Sequence, residues 1–436
     1  MGRSCCATHA VGAREKTSLD ARSVSAPYAR RQADVFRPAQ AGSPMSAKPA
    51  TRAIGAGASA ALMTGTALGT LGATVMPVLL PGMVERFHLS NTSAGVVATL
   101  QLITTALATF AFTARATRPR RARIAVLGFI AGAVGFGLAS AAPNLAVLAV
   151  ANVVAGAGLG AVNAMTMASI AATDDTDRAS STSVLGATLI AAALVVALPE
   201  ARSAWGGTAE FAVLAGCCIA ALFFMRALPD AVAQDRALTT SPPIPVLFLL
   251  AVALFGASDQ GAWSYSATLG EKHDGMSTDT VSLVLAIASL VSLVGVGISQ
   301  LTTPRFGRVP VIMAFLIGEG LAKLMIATVP GWLSFTVSAV IWQVCFMGLL
   351  VSVLAVAACA DSCGRWVAAA GGALAIGTAL GPAPAGWVLD VWGAPAFGLA
   401  VALSTAISGI LLLRTTRTTP ATEGSLSTPG TGMPAC

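Results

Sequence analysis

The chain has 436 residues, of which 55% are apolar and only 10% charged. A water-soluble protein of that composition would expose large apolar surfaces, so lipid must solvate most of it, and a soluble catalytic domain has no room. The net charge of +7 is not a nucleic-acid signal, because nearly all basic residues lie in the N-terminal tail or between apolar stretches.

Residues 1–52 are polar, rich in Arg and Ser, and lack an apolar h-region. They are expected to form a disordered cytoplasmic tail rather than a secretory signal, an organelle transit peptide being the other reading of the bias. Met45 offers an alternative start. A membrane crossing takes about 20 apolar residues, and such stretches follow near 54–83, 93–114, 123–141, 145–172, 182–200 and 208–228. A polar connector, Pro229 to Pro243, separates these from a second set near 244–268, 279–301, 309–329, 332–360, 366–390 and 395–413. The Thr/Pro/Gly-rich end from Arg414 to Cys436 is again expected to be disordered.

With the N-terminus taken as inside, 22 of the 26 basic residues fall on the inner side. Only Arg86, Arg202 and Lys272 fall on the outer side, and Lys323 lies within a span. That asymmetry predicts that both termini are cytoplasmic. The skew of 22 Arg against 4 Lys, with abundant Ala, points to a bacterial inner membrane.

Two landmarks recur along the chain. Pro119-Arg120-Arg121-Ala122-Arg123 after the second span matches Pro304-Arg305-Phe306-Gly307-Arg308 after the eighth. Leu89-Ser90-Asn91-Thr92-Ser93 before the second span matches Met276-Ser277-Thr278-Asp279-Thr280 before the eighth, at nearly the same offset. Each match stands at the same place in its half, which argues for a parallel duplication. The expected fold is an all-α integral membrane protein of twelve transmembrane helices in two pseudo-symmetric six-helix bundles, 53–228 and 244–414.

These features resemble the major facilitator superfamily over roughly Ile54 to Arg414. The loop after the eighth span looks like the end of that family's gating signature, Gly-x-x-x-Asp-Arg-x-Gly-Arg-Arg, without its acidic member. The resemblance implies gating roles for Arg120, Arg123, Arg305, Gly307 and Arg308. Asn152 to Gly160 is similar to the family's Arg-x-x-x-Gly-x-Gly stretch, with Asn152 where an arginine is often proposed to aid proton transfer. Gly377 to Gly386 looks like the family's glycine-proline eleventh helix, whereas Ser183 to Leu198 lacks the Gly-Pro antiporter mark. The family implies a secondary transporter working by alternating access.

Polar side chains at membrane depth are costly unless they face a wet cavity or a partner helix. In the seventh span Gly256, Asp259, Gln260, Trp263 and Ser266 recur at helical spacing and share one face. That face is expected to line the path, with Asp259 taking up and releasing the coupling proton and attracting a cationic substrate. The alternative is a structural carboxylate near the outer end of its span. Glu319 and Lys323 form an i, i+4 pair in the ninth span, which in the resembled fold is peripheral, so this pair reads equally as structural or coupling. Gln101, Thr105, Asn163 and Gln343 are further cavity candidates, or else bind helices together. Thr66, Gly69, Thr70 and Ala73, beside Pro77 and Pro81, read first as packing and a bend, then as cavity lining. Gly156, Gly160, Gly377, Gly381, Pro382 and Gly386 mark close helix contact. His88 and His273 are solvated loop residues at similar places in the two halves, and the scattered cysteines have no metal or disulfide spacing.

Anionic substrates need fixed cations in the cavity, and only Lys323 is buried, already beside Glu319. A sugar would require more amides, acids and aromatics. The expected cargo is a small neutral or cationic, fairly apolar compound, moved by proton-coupled efflux or, in second place, by proton-linked uptake. No enzyme chemistry, metal, cofactor or nucleic acid is implied, and a monomer in the bilayer is expected. A transporter-like receptor or sensor is a remote alternative.

Overall fold

The structure, a computed structural model, describes residues 55–115, 120–173, 175–229, 243–360 and 364–418. The expected N-terminal tail, Arg118 and Pro119, all but the ends of the Pro229–Pro243 connector, and residues 419–436 lie outside the described residues, whereas 414–418, expected in the disordered C-terminal tail, continue the last helix. The described residues form helices and no strand.

The first span is broken into α1 (Ala56–Gly69), α2 (Leu71–Thr74) and α3 (Met76–Phe87). Pro77 opens α3 and brings no backbone N–H to the preceding turn, so the bend expected from Pro77 and Pro81 falls at Thr70 and Val75. Next come α4 (Asn91–Thr113), α5 (Arg121–Ser140), α6 (Leu145–Ala171), α7 (Thr176–Trp205) and α8 (Ala209–Met225). The second half holds α9 (Val246–Lys272), α10 (Thr278–Val291), α11 (Leu293–Phe306), α12 (Arg308–Thr328), α13 (Trp332–Ala360), α14 (Arg365–Leu380) and α15 (Pro382–Thr418). Several helices outrun the predicted spans, α7 by a turn or more at each end.

Among the described residues nine helical stretches are long and apolar enough to cross a membrane. In this set α10 and α11 form one stretch, Thr278–Phe306, and α14 and α15 form another, Arg365–Thr415. Beside these nine stand the broken first span α1–α3 and the shorter apolar α8, and the last stretch is kinked at Gly393, where φ is 76°. Large apolar side chains such as Leu107, Leu127, Val150, Phe223 and Leu301 are more than half exposed, as lipid-facing residues must be.

The duplication is written into the backbone. His88 and Gly275 are both left-handed, as are Arg120 and Gly307, and Gly206 and Gly393, and the three pairs share one offset along the chain. Ser90 and Ser277 are equivalent N-caps at that same offset, accepting from the backbone N–H of Ser93 and Thr280. The arginine loops therefore align as Arg120 with Gly307, two positions away from the sequence match, because backbone geometry rather than proline placement sets the register. His88 likewise pairs with Gly275 and not with His273. Between the halves, α4 packs on α14 and α15 while α7 packs on α10, and α3 packs on α9. The second span thus meets the eleventh and the fifth meets the eighth, as a pseudo-two-fold axis requires.

Candidate functional site

A cavity of about 370 Å³ lies between the halves. Thr66, Thr70, Ala73 and Thr74 of the first span and Val184, Ala187, Thr188 and Ala191 of α7 line one side. Across from them stand Asp259, Gln260 and Trp263 of α9, Ser289 and Ser292, Gln343 and Phe346 of α13, and Leu374 and Thr378 of α14. Each helix contributes from near its middle, so the cavity sits at mid-depth, and its volume is in the ordinary range for small-molecule sites. Among the described residues Asp259 is the one ionisable side chain in the lining.

Behind Asp259 is a buried charge cluster. Asp259 is 8% exposed, while Glu319 and Lys323 of α12 are 0% exposed. Lys323 Nζ donates to Glu319 Oε1 and stands 3.5 Å from Asp259 Oδ1. It also lies 3.5 Å from the hydroxyls of Ser258 and Thr405, which bond each other at 2.8 Å. The Trp342 indole N–H donates to Asp259 Oδ1 at 2.7 Å, and the Lys323 ammonium lies 5.5 Å from the centre of a Trp342 ring. One ammonium is thus shared by two carboxylates on different helices. Small residues on α15 make this possible: Gly398 faces Ala327 and Gly409 faces Leu316, so α12 can approach closely. No residue of α12 lines the cavity, yet Lys323 reaches from α12 to Asp259, which does.

The pseudo-symmetry supplies a control. With His88 set against Gly275, the first-half counterparts of Asp259, Glu319, Lys323, Trp342 and Thr405 are Gly72, Gly132, Phe136, Ala155 and Cys218. In the first half Phe136 is fully buried and stacks on Phe211, and Cys218 faces Gly132. The same helix arrangement closes there with apolar side chains, so the fold as such does not demand the charges.

The other predicted positions divide. Gln260, Trp263 and Gln343 line the cavity, and so do Thr66 and Thr70, which the sequence favours as packing residues. Ser266 does not; it is buried and donates to the Trp263 carbonyl. Gln101, Thr105 and Asn163 also lie outside the lining. Gln101 packs over Gly72 and Asn163 over Gly69, and Thr105 donates back to the Gln101 carbonyl. Gly256 meets the backbone of Leu374 and Thr378, Gly377 meets that of Ala253, and Gly381 that of Ala257 and Gly261. Gly156 and Gly160 admit α4 against α6, while Gly386 and the Pro382 carbonyl face Tyr265. Of the loop residues, Arg308 donates to the Cys359 thiol, Arg120 and Gly307 hold the left-handed positions, and Arg305 closes α11. Arg123 lies in the first turn of α5; the buried arginine beside it is Arg121, which donates to the Ala168 carbonyl.

Sequence reasoning missed Trp342, Ser258 and Thr405. A readable signal existed for Trp342: an indole N–H at mid-span needs an acceptor, and carboxylates stand at similar depth in Asp259 and Glu319.

Among the described residues, hydrogen bonds join the halves at the end of α3 and the start of α4. Asp390 accepts from the backbone N–H of Asn91 and Thr92 at 3.2 and 2.7 Å, and from their side chains at 2.8 and 2.6 Å. Tyr265 donates to the Asn91 carbonyl, and the Ala383 N–H donates to Thr99. Nearer the cavity, Gln260 donates to the Ala73 carbonyl and Trp263 Nε1 to the Thr74 carbonyl, each at 3.0 Å.

Comparison with known proteins matches residues 62–364 to the family described as Major Facilitator Superfamily. Among solved structures, a point mutant of the nucleoside transporter NupG is similar at 14% identity and a TM-score of 0.65, covering 83% of this chain and 99% of that one. A bacterial homologue of the human lysosomal transporter Spinster, inward-facing and occupied, is similar at 15% identity and a TM-score of 0.67, covering 83% and 98%. Its inward-facing, unoccupied form gives 16% and 0.61, covering 82% and 94%. A search of curated protein sequences finds no match.

Proposed function

This chain belongs to the Major Facilitator Superfamily and is a membrane transporter, not an enzyme, and from that premise we propose that it exports a small neutral or cationic, fairly apolar compound in exchange for protons. The observation that carries the proposal is the mid-depth cavity with Asp259 as the one ionisable residue in its described lining. Threonines, serines and two glutamines supply hydrogen bonds, and Trp263, Phe346, Met347 and Leu374 supply apolar surface, a mixture suited to a compact amphiphile. Among the described residues no fixed cation lines the cavity, which disfavours anionic cargo. Asp259 is the proton and cargo site, and Lys323 with Glu319 is its counter-charge reservoir; the apolar counterparts in the first half support a functional over a merely structural reading.

The chain sits as a monomer in a bacterial inner membrane with both termini cytoplasmic, bundles at 53–228 and 244–414, and the connector on the cytoplasmic side. Under that orientation the Asp390 end is external, and the closed end makes this the inward-facing state. Uptake by proton symport is the competing direction. Proteoliposomes with an imposed proton gradient, loaded with cargo found by screening toxic compounds and nutrients, decide between them: export predicts cargo movement against the proton flow in both gradient directions. Asp259→Asn is expected to abolish driven movement while the protein remains in the membrane. Full driven activity in that variant rejects the proposal.

A further inference from the structure

The Trp342 indole presents two faces to the charge cluster. Its N–H donates to Asp259 Oδ1 at 2.7 Å, the same oxygen that Lys323 Nζ approaches at 3.5 Å. Its ring carries the Lys323 ammonium at 5.5 Å. Trp342 is fully buried and is absent from the cavity lining, so it does not touch cargo. Its ring also meets Trp263 edge-on, with centroids 6.0 Å apart. Trp263 in turn lines the cavity and donates to the Thr74 carbonyl of the opposite half.

We infer that Trp342 is the positioning residue of the Asp259 site, and that its edge-on contact with Trp263 links the hydrogen bonding of Asp259 to closure between the halves. A hydrogen bond to an ionised carboxylate is among the stronger ones in a protein interior, and this one also keeps Asp259 turned between the cavity and Lys323. When the halves part at the Thr74 end, Trp263 must lose its carbonyl acceptor, and its ring is freed to move against Trp342. Even a small shift of the Trp342 indole lengthens and weakens its bond to Asp259, so opening of that end and proton exchange at Asp259 cease to be independent.

Few other charges face Asp259. Among the described residues Glu319 and Lys323 on α12 are the near ones. Glu271 and Lys272 close α9 itself. Glu85 and Arg86 on α3, Asp279 on α10, Arg365 on α14, and Asp390 and Arg414 on α15 stand toward the ends of helices or of helix limbs. Helix α13 carries no charged side chain, and its Cys345 thiol lies on the Glu319 side against Gly318.

The inference rests on Asp259 being titratable but can be tested without cargo. The probe is the proton itself, read by infrared titration of the purified full chain in lipid, with the Asp259 carboxyl band identified as the one missing in Asp259→Asn. Trp342→Phe keeps a ring and deletes the N–H; it is expected to displace the midpoint of that band by about one pH unit, a tenfold change in proton affinity. Trp263→Phe keeps the edge contact and deletes only the bond to Thr74; it is expected to displace the same midpoint by a smaller amount. Superimposable titrations of wild type and Trp342→Phe overturn the positioning role, and no displacement in Trp263→Phe overturns the link to closure. If Trp342→Phe does not fold, Trp342→His restores a ring N–H, and an unaltered midpoint there beside a displaced one in Trp342→Leu, which has no donor, sustains the inference; equal midpoints reject it. A displaced band in a protein that moves no cargo would instead reject the proposed function and leave this inference intact.

Discussion

Replacing Glu319 and Lys323 together, as Glu319→Gln with Lys323→Met, separates stability from coupling. Lys323→Met alone leaves Glu319, 0% exposed, and Asp259, 8% exposed, with no cation between them. Removing one partner of a buried ion pair costs about 3–5 kcal/mol, because the other charge is left uncompensated. In the double variant the Glu319 charge is gone, and Asp259, which borders the cavity, keeps the Trp342 N–H as its partner. Methionine fills the volume of the lysine stem, and glutamine keeps the outline of glutamate. The first half already closes the equivalent interface with Gly132 and Phe136, so the double variant is expected to recover to within about 1 kcal/mol of wild type. Driven transport is expected to fall at least about tenfold in the same protein, because Asp259 loses the cation it shares. Thermal unfolding of detergent-purified protein gives the first quantity, and proteoliposomes with an imposed proton gradient give the second. A double variant as unstable as Lys323→Met would show the cluster to be a brace required by the fold. One that is stable and fully active would show the ion pair to be structural packing only.

Asp390→Ala removes four hydrogen bonds that cap α4 across the halves. Taking the net value as about 2 kcal/mol for an exposed carboxylate at a helix N-terminus, the equilibrium should move roughly thirtyfold away from the closed end. A cysteine placed at Thr74 should then react faster with an impermeant thiol reagent added from the Asp390 side, and unchanged labelling would count against the latch. Gly377→Val would drive a side chain into the Ala253 carbonyl. It is expected to part α9 from α14 and destabilise the protein by about 1–3 kcal/mol, the usual cost of overpacking, measured by the same thermal unfolding.

Much of the fold was legible in the sequence because its determinants are local or periodic. Apolar length marks the crossings, positive charge marks their expected sides, and the Ser90 and Ser277 caps with their shared spacing mark the duplication. Asp259, Gln260, Trp263 and Gln343 were legible as cavity candidates because a polar group at membrane depth is expensive wherever it points. What the sequence could not supply was the rotation of each helix about its own axis. That rotation is decided by which small residues meet, such as Gly398 against Ala327 and Gly409 against Leu316. It turns Lys323 toward Asp259, brings Trp342 onto the same oxygen, and leaves Gln101 and Asn163 packed on Gly72 and Gly69 instead of facing the cavity. Composition and period determine that a chain must cross the membrane and how often its plan repeats; side-chain shape at helix contacts, a property of pairs far apart in sequence, decides which polar groups meet.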